Sequence, residues 1–307
     1  MSAAASAPTG APVPPLRRAA ERPRSAWGEA WRRLRKNRMA VGCIALFFVI
    51  VGFCVLGPPI AGLFGLDATT LDITRGAQGP SAAHPLGTDT LGRDMLVRIM
   101  IGGRIALTVA FVATLVALVI GVAWGAIAAY AGGRVDFVMM RVVDTLYGFP
   151  TTVFVIVVMA VLGTKSIVTL FALIGAISWL GIARQTRAQV LSLRHREFVE
   201  AARALGVPPM RILFGHIVPN ALGVIIVAAT ASLPSVMLTE AFLSFIGLGV
   251  QAPLASWGTL VAEGSSQVIV HPWVLIGPGV IMGLSIFSLN FFGDGLRDAL
   301  DPRTRKD

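Results

Sequence analysis

Membrane-length stretches without an acidic or basic side chain recur along this chain and leave few folds open to it. Residues 39–66, 105–133, 145–164, 166–183 and 217–239 are uncharged, and 264–293 is interrupted only by His271. A hydrocarbon core about 30 Å thick takes about 20 helical residues to cross. In lipid the backbone must satisfy its own hydrogen bonds, as helices do within one run and barrels only by closing on themselves. Continuous apolar runs, rather than segments of alternating polarity, select helices. The chain has 307 residues, 55% hydrophobic and 14% charged, whereas a soluble domain averages about 25% charged. The expectation is an all-α polytopic membrane protein with six transmembrane helices.

One more uncharged run, 241–262, is long enough to count as a seventh span. Gly247, Gly249, Gln251, Pro253, Ser256 and Gly258 interrupt it and favour a loop or re-entrant turn. A seventh span would also carry the basic C-terminal residues Arg297, Arg303, Arg305 and Lys306 to the outer side, against the preference of basic residues for the cytoplasmic flank. With six spans and an inner N-terminus, only Arg75, Arg93, Arg98, Arg104 and Lys165 of the 26 Lys and Arg lie outside. Both termini are therefore expected in the cytoplasm. The net charge of +10 follows from topology. It is divided among membrane flanks rather than gathered on one face, so nucleic acid is not an expected partner.

Cys43 and Cys54 fall on nearly one face of the first span, as small hydrophobes. His84, His195, His216 and His271 have no metal-ligand spacing within a helix, and no metal site is expected. Residues 1–24, rich in Ala, Pro and Arg, read as disordered, and 25–38, with Trp27 and Trp31, as a short interfacial helix. Gly121, Gly125, Ala126, Ala128 and Ala129 let the second span approach a neighbour closely.

Between the fourth and fifth apolar runs lies a basic interval that does not span. Residues 197–204 favour helix. Gly206 suits the left-handed position past a helix end, and Pro208 and Pro209 can open the next helix. A polar helix-turn-helix at a membrane surface can dock another protein; the alternative is an ordinary amphipathic interfacial helix. Upstream, Pro85 disfavours helix at His84, Asp89 is a helix-cap candidate, and Asp94 and Arg98 are expected to pair at i,i+4. Two carboxylates stand at span ends. Asp144, three residues after Arg141 and before the helix-breaking Pro150, reads as paired with a neighbouring Arg, with a substrate ligand on the pathway as the alternative. Glu240 either faces a translocation path or caps an outer helix.

Four stretches resemble one family. Glu200-Ala201-Ala202, Gly206 four residues after the second Ala, and Ile217-Val218-Pro219 resemble the EAA loop of ABC importer permeases. Residues 84–94, His-Pro-Leu-Gly-Thr-Asp-Thr-Leu-Gly-Arg-Asp, resemble the signature of the C-type subunit of the dipeptide, oligopeptide and nickel group. Residues 240–258 and the ending 290–303 resemble further segments of the same group. Val218 replaces the usual Leu, and Val207-Pro208-Pro209 is richer in proline than many relatives.

The resemblance implies a type I ABC importer permease fold with a cytoplasmic EAA coupling helix. Its coupling residues would be Glu200, Ala201, Ala202, Gly206 and Pro219. The boundaries would be 1–38, a cytoplasmic basic tail; 39–104, the first transmembrane helix and outer segment; 105–300, the permease domain; and 301–307, a cytoplasmic tail. The implied partners are a homologous second permease subunit, two ATP-binding subunits at the cytoplasmic face, an extracytoplasmic solute-binding protein and membrane lipid. The implied location is a bacterial inner membrane, and the implied cargo di- or oligopeptides, with nickel or another small solute as the alternative. No catalytic residue or cofactor is expected, because residues 163–166, Gly-Thr-Lys-Ser, lack the Gly that a P-loop places directly before its Lys. An ion-coupled secondary transporter would need repeated intramembrane carboxylates, and only Asp144 and Glu240 qualify.

Overall fold

The computed structural model describes residues 26–68, 71–74, 76–163 and 166–300. The readings of residues 1–24 and 301–307, of Arg75 and Lys165, and of the Trp27 side chain lie outside the described residues. Among those described no strand forms, and one isolated bridge joins Thr88 and Asp94.

Among the described residues, five helices are long and apolar enough to cross a membrane. Helix α1, Ala26–Lys36, leads into α2, Arg38–Leu63, which Asn37 caps by accepting the Ala40 N–H at 3.1 Å. α2 is apolar all round. Its buried residues Ala40, Cys43, Phe47, Ile50, Cys54, Gly57 and Ala61 recur at alternating steps of three and four, the seam of a left-handed helix pair. Phe48, Val49 and Leu56 on the other faces are exposed, as lipid contact requires.

α3, Met95–Ala131, begins ten residues before the uncharged run, because Asp94 caps it and Arg98 and Arg104 find partners. Arg104 reaches back to α2, donating to the carbonyls of Cys54 (2.7 Å) and Val55. Those two carbonyls lie four residues before Pro58 and Pro59, which have no N–H to give them.

α3 packs most extensively on α6, Ile167–Leu193, and the two run in the same direction. The small residues of the second span do make this seam. A Cβ on Gly121 would come within 2.8 Å of the Trp179 carbonyl, and one on Gly125 would strike that of Ala183.

The third expected span is not one helix. α4, Gly133–Tyr147, and α5, Thr151–Leu162, meet at 83°, and only if this bent pair counts as one crossing does the total reach six. Pro150 explains the break, since it lacks an N–H and pushes Phe149 out of helical geometry. The 12 residues of α5 rise about 18 Å, too short for the hydrocarbon core alone.

α7, Glu197–Ala204, and α8, Pro209–Ile212, form the elbow. A π-turn, Leu213–Ile217, joins α8 to α9, Val218–Phe245. The wide turn sits where Pro219 offers no N–H to the Gly215 carbonyl. Residues 246–256 loop back to α10, Trp257–Ser265, whose nine residues are too few to cross, in line with the rejected seventh span. The last helix, α11, Trp273–Leu300, starts nine residues later than its apolar run, after the turn at His271 and Pro272.

The starts of α3 and α11 lie with α10 at one end of the bundle. The ends of α3, α6 and α11 lie with α7 and α8 at the other.

Candidate functional site

The elbow is held by part of its apolar surface and leaves a mixed polar and apolar face free. Val199 and Ala202 are buried against Ala126 and Ala129 of α3, Val190 of α6 and Ile212 and Leu213. Arg203 lies over the Tyr130 ring at 5.9 Å, and Arg194 donates to the Ala129 carbonyl at 2.9 Å. α7 ends in a Schellman pair: Gly206 N–H donates to the Arg203 carbonyl (2.9 Å) and Val207 N–H to that of Ala202 (3.1 Å). Gly206 has φ +75°, and no atom crowds the position, so conformation alone selects glycine. Glu200, Ala201 and Gly206 face outward, Leu205 is 82% exposed, and Met210 and Phe214 beyond the turn are exposed too. Ala202 is turned into the bundle, and Pro219 is exposed at the base of α9. The result is a braced knob that exposes apolar and acidic side chains.

Beside the elbow, α4 and α6 are joined by two ion pairs. Arg187 grips both carboxylate oxygens of Asp136 at 2.6 Å, and Arg184 meets Asp144 at 2.7 Å. Asp144 is thus paired with an Arg of α6 rather than with Arg141, which lies over the Phe137 ring.

At the α10 end, the 84–94 loop folds around Asp89. This carboxylate accepts the Leu91 and Arg93 N–H groups and the guanidinium groups of Arg93 (2.7 Å) and Arg98 (2.6 Å). The expected Asp94–Arg98 side-chain pair does not form. Asp94 caps α3 through the Val97 N–H and meets His84 at 2.8 Å, while Arg98 turns to Asp89 and makes two bonds to Glu263 of α10. Asp89 is therefore not the cap but the hub. Gly87, at φ +74°, lies so close to the Trp273 indole that a Cβ would come within 2.9 Å of it. Trp273 in turn donates to the Thr88 carbonyl. Glu240 is buried, accepts the Ser244 hydroxyl at 2.7 Å, and lies one hydroxyl away from Ser256, the cap of α10.

Sequence reading missed Glu263, Asp136 and Arg187. Glu263 had one available signal, as the single acidic residue between Glu240 and Asp294.

A family model described as binding-protein-dependent transport system inner membrane component matches residues 117–306. Another, the N-terminal TM domain of oligopeptide transport permease C, matches residues 25–76. The chain is 45% identical to the oligopeptide transport system permease protein OppC of Escherichia coli (strain K12) over 92% of its length and 93% of the relative's. It is 41% identical to the OppC of Bacillus subtilis (strain 168), covering 92% and 91%. It is 38% identical to the dipeptide transport system permease protein DppC of the same organism, covering 91% and 86%. Among solved structures, an inward-facing conformation of the MetNI methionine ABC transporter superposes with a TM-score of 0.54 at 20% identity, over 67% of this chain and 96% of that one. That likeness is one of fold.

Proposed function

The chain belongs to the binding-protein-dependent transport system inner membrane component family, and on that premise we propose that it is a permease subunit of an ATP-binding-cassette importer for di- and oligopeptides. It forms half of a pathway with a homologous second subunit, receives peptide from an extracytoplasmic binding protein, and is driven by two separate ATPase subunits. Hydrolysis belongs to those partners. The elbow carries the reading: an exposed helix, Glu197–Ala204, braced on α3 and α6 through Val199 and Ala202, is a lever whose displacement must move both helices. The peptide cargo is supported by the names of its relatives, the oligopeptide and dipeptide permeases.

In this reading the α7 end faces the cytoplasm with both termini, and the α10 end faces outward in the inner membrane. The excess of Lys and Arg in the segments at the α7 end supports that orientation. The tail 1–38, the 39–104 segment, the permease unit 105–300 and the tail 301–307 are its working divisions. Glu200, Ala201 and Gly206 form the coupling contact, Ala202 its anchor and Pro219 its hinge to α9. Glu240 braces α9 against α10.

Single-cysteine cross-linking in the assembled transporter tests this. Ala201→Cys links to an ATPase subunit and the link responds to ATP, whereas Ala202→Cys does not react. An Ala201→Cys variant that transports peptide yet links to no ATPase subunit would remove the coupling assignment.

A further inference from the structure

A charged cavity of about 470 Å³ opens between α4 and α6, lined by Asp136, Arg141, Asp144, Arg184 and Arg187 with Met140 and Phe137. Its two ion pairs are unequal. Asp136 and Arg187 share a two-bond grip and the carboxylate is only 15% exposed, so this pair is a wall. Asp144 and Arg184 share one bond and are 51% and 40% exposed. An exposed pair of that kind contributes little and exchanges partners readily. Arg141, held over the Phe137 ring at 5.1 Å, adds a second cation with no carboxylate partner among the described residues.

Tyr147, whose ring lies 4.2 Å from the Arg184 guanidinium of this cavity, lines a second groove of about 290 Å³. Ser178, Ser232, Ser235 and Thr239 line that groove. Each hydroxyl donates to a carbonyl of its own helix, at 2.7–2.8 Å, and keeps its lone pairs as acceptors.

Resting on the peptide-importer reading above, we propose that the cavity is a binding site for the charged termini of a short peptide in transit. The α-carboxylate replaces Asp144 on Arg184 and Arg141, and the α-ammonium takes Asp144, while the hydroxyl groove accepts backbone N–H groups. Every short peptide carries both charged termini whatever its side chains. A subunit that must pass many sequences can grip only those shared groups and the backbone. The volume lies in the usual range of small-ligand sites.

The test uses the assembled transporter in nanodiscs with Met140→Cys, a position in the cavity wall. The native Cys43 and Cys54 are buried and supply a low background. The rate of labelling by a neutral thiol reagent is followed with trialanine, and with N-acetyl-trialanine amide, which lacks both charges. At about ten times Kd roughly one site in ten stays free, so trialanine slows labelling about tenfold. The blocked peptide leaves the rate unchanged, and Asp144→Asn with Arg184→Gln abolishes the protection. Equal protection by both peptides, or none by either, overturns the proposal. A rate that follows the phosphatidylethanolamine content of the disc and ignores peptide assigns the cavity to a lipid headgroup and overturns it too. ATP hydrolysis stimulated by the peptide-loaded binding protein is measured on the same sample. Its absence sinks the importer reading, whereas its presence without protection sinks the cavity assignment alone.

Discussion

Arg104 acts as a repair in a broken helix. Pro58 and Pro59 deprive the Cys54 and Val55 carbonyls of their helical donors, and the guanidinium of α3 replaces both. Within a spanning helix, such carbonyls have no water to turn to. Arg104→Met therefore leaves two acceptors bare, at about 1–3 kcal/mol each, and lowers the unfolding midpoint in a thermal melt. Pro58→Ala with Pro59→Ala restores the N–H groups, and in that background most of the cost of Arg104→Met disappears. An undiminished cost would show that the arginine serves some other partner. At the α10 end, burial sets a hierarchy within one network. Arg98 is 4% exposed and Asp89 5%, whereas Glu263 is 41% exposed. Arg98→Leu breaks a buried pair, at about 3–5 kcal/mol, and Glu263→Gln costs under about 1 kcal/mol. Comparable melting shifts for the two would refute that ordering.

Pairs of helices set how firmly the elbow is braced on the bundle. The α3–α6 seam depends on glycine, because a side chain on Gly125 meets the Ala183 backbone, which has nowhere to retreat. Gly125→Leu is expected to prevent folded protein from accumulating in the membrane, an effect well beyond the 1–3 kcal/mol of ordinary overpacking. Membrane yields on a blot check it. The elbow behaves differently. Gly206→Ala strains a left-handed residue by about 1–2 kcal/mol. Gly206→Pro cannot take a positive φ and also loses the bond to the Arg203 carbonyl. The Pro variant, and Glu200→Arg at the exposed face, are expected to insert normally yet abolish uptake and binding-protein-stimulated ATP hydrolysis. Wild-type uptake at normal expression would refute the lever.

Across the whole bundle, the chain places a loop-locked cluster at one end and the proposed lever, the α7–α8 elbow, at the other, linked by α3. That helix carries Arg98 near its start and supports Val199 and Ala202 near its end. The sequence alone determined the class of fold, the number of apolar runs, the non-spanning character of 241–262 and the position of the elbow. These follow from hydrophobicity, glycine and proline, which act locally, and the family resemblance rested on the same residues. Tertiary structure decided the partners. Asp94 and Arg98 stand four apart on one helix, yet Arg98 bonds Asp89 and Glu263, the latter 165 residues away, because a buried guanidinium takes the geometry that satisfies most of its donors. Asp144 turns from the nearby Arg141 to Arg184 for want of any local constraint. The 83° bend between α4 and α5 was foreshadowed by Pro150, but its size depends on packing. Charge pairing and bend angles are set by what other segments bring to the same place, and a one-dimensional pattern does not record that.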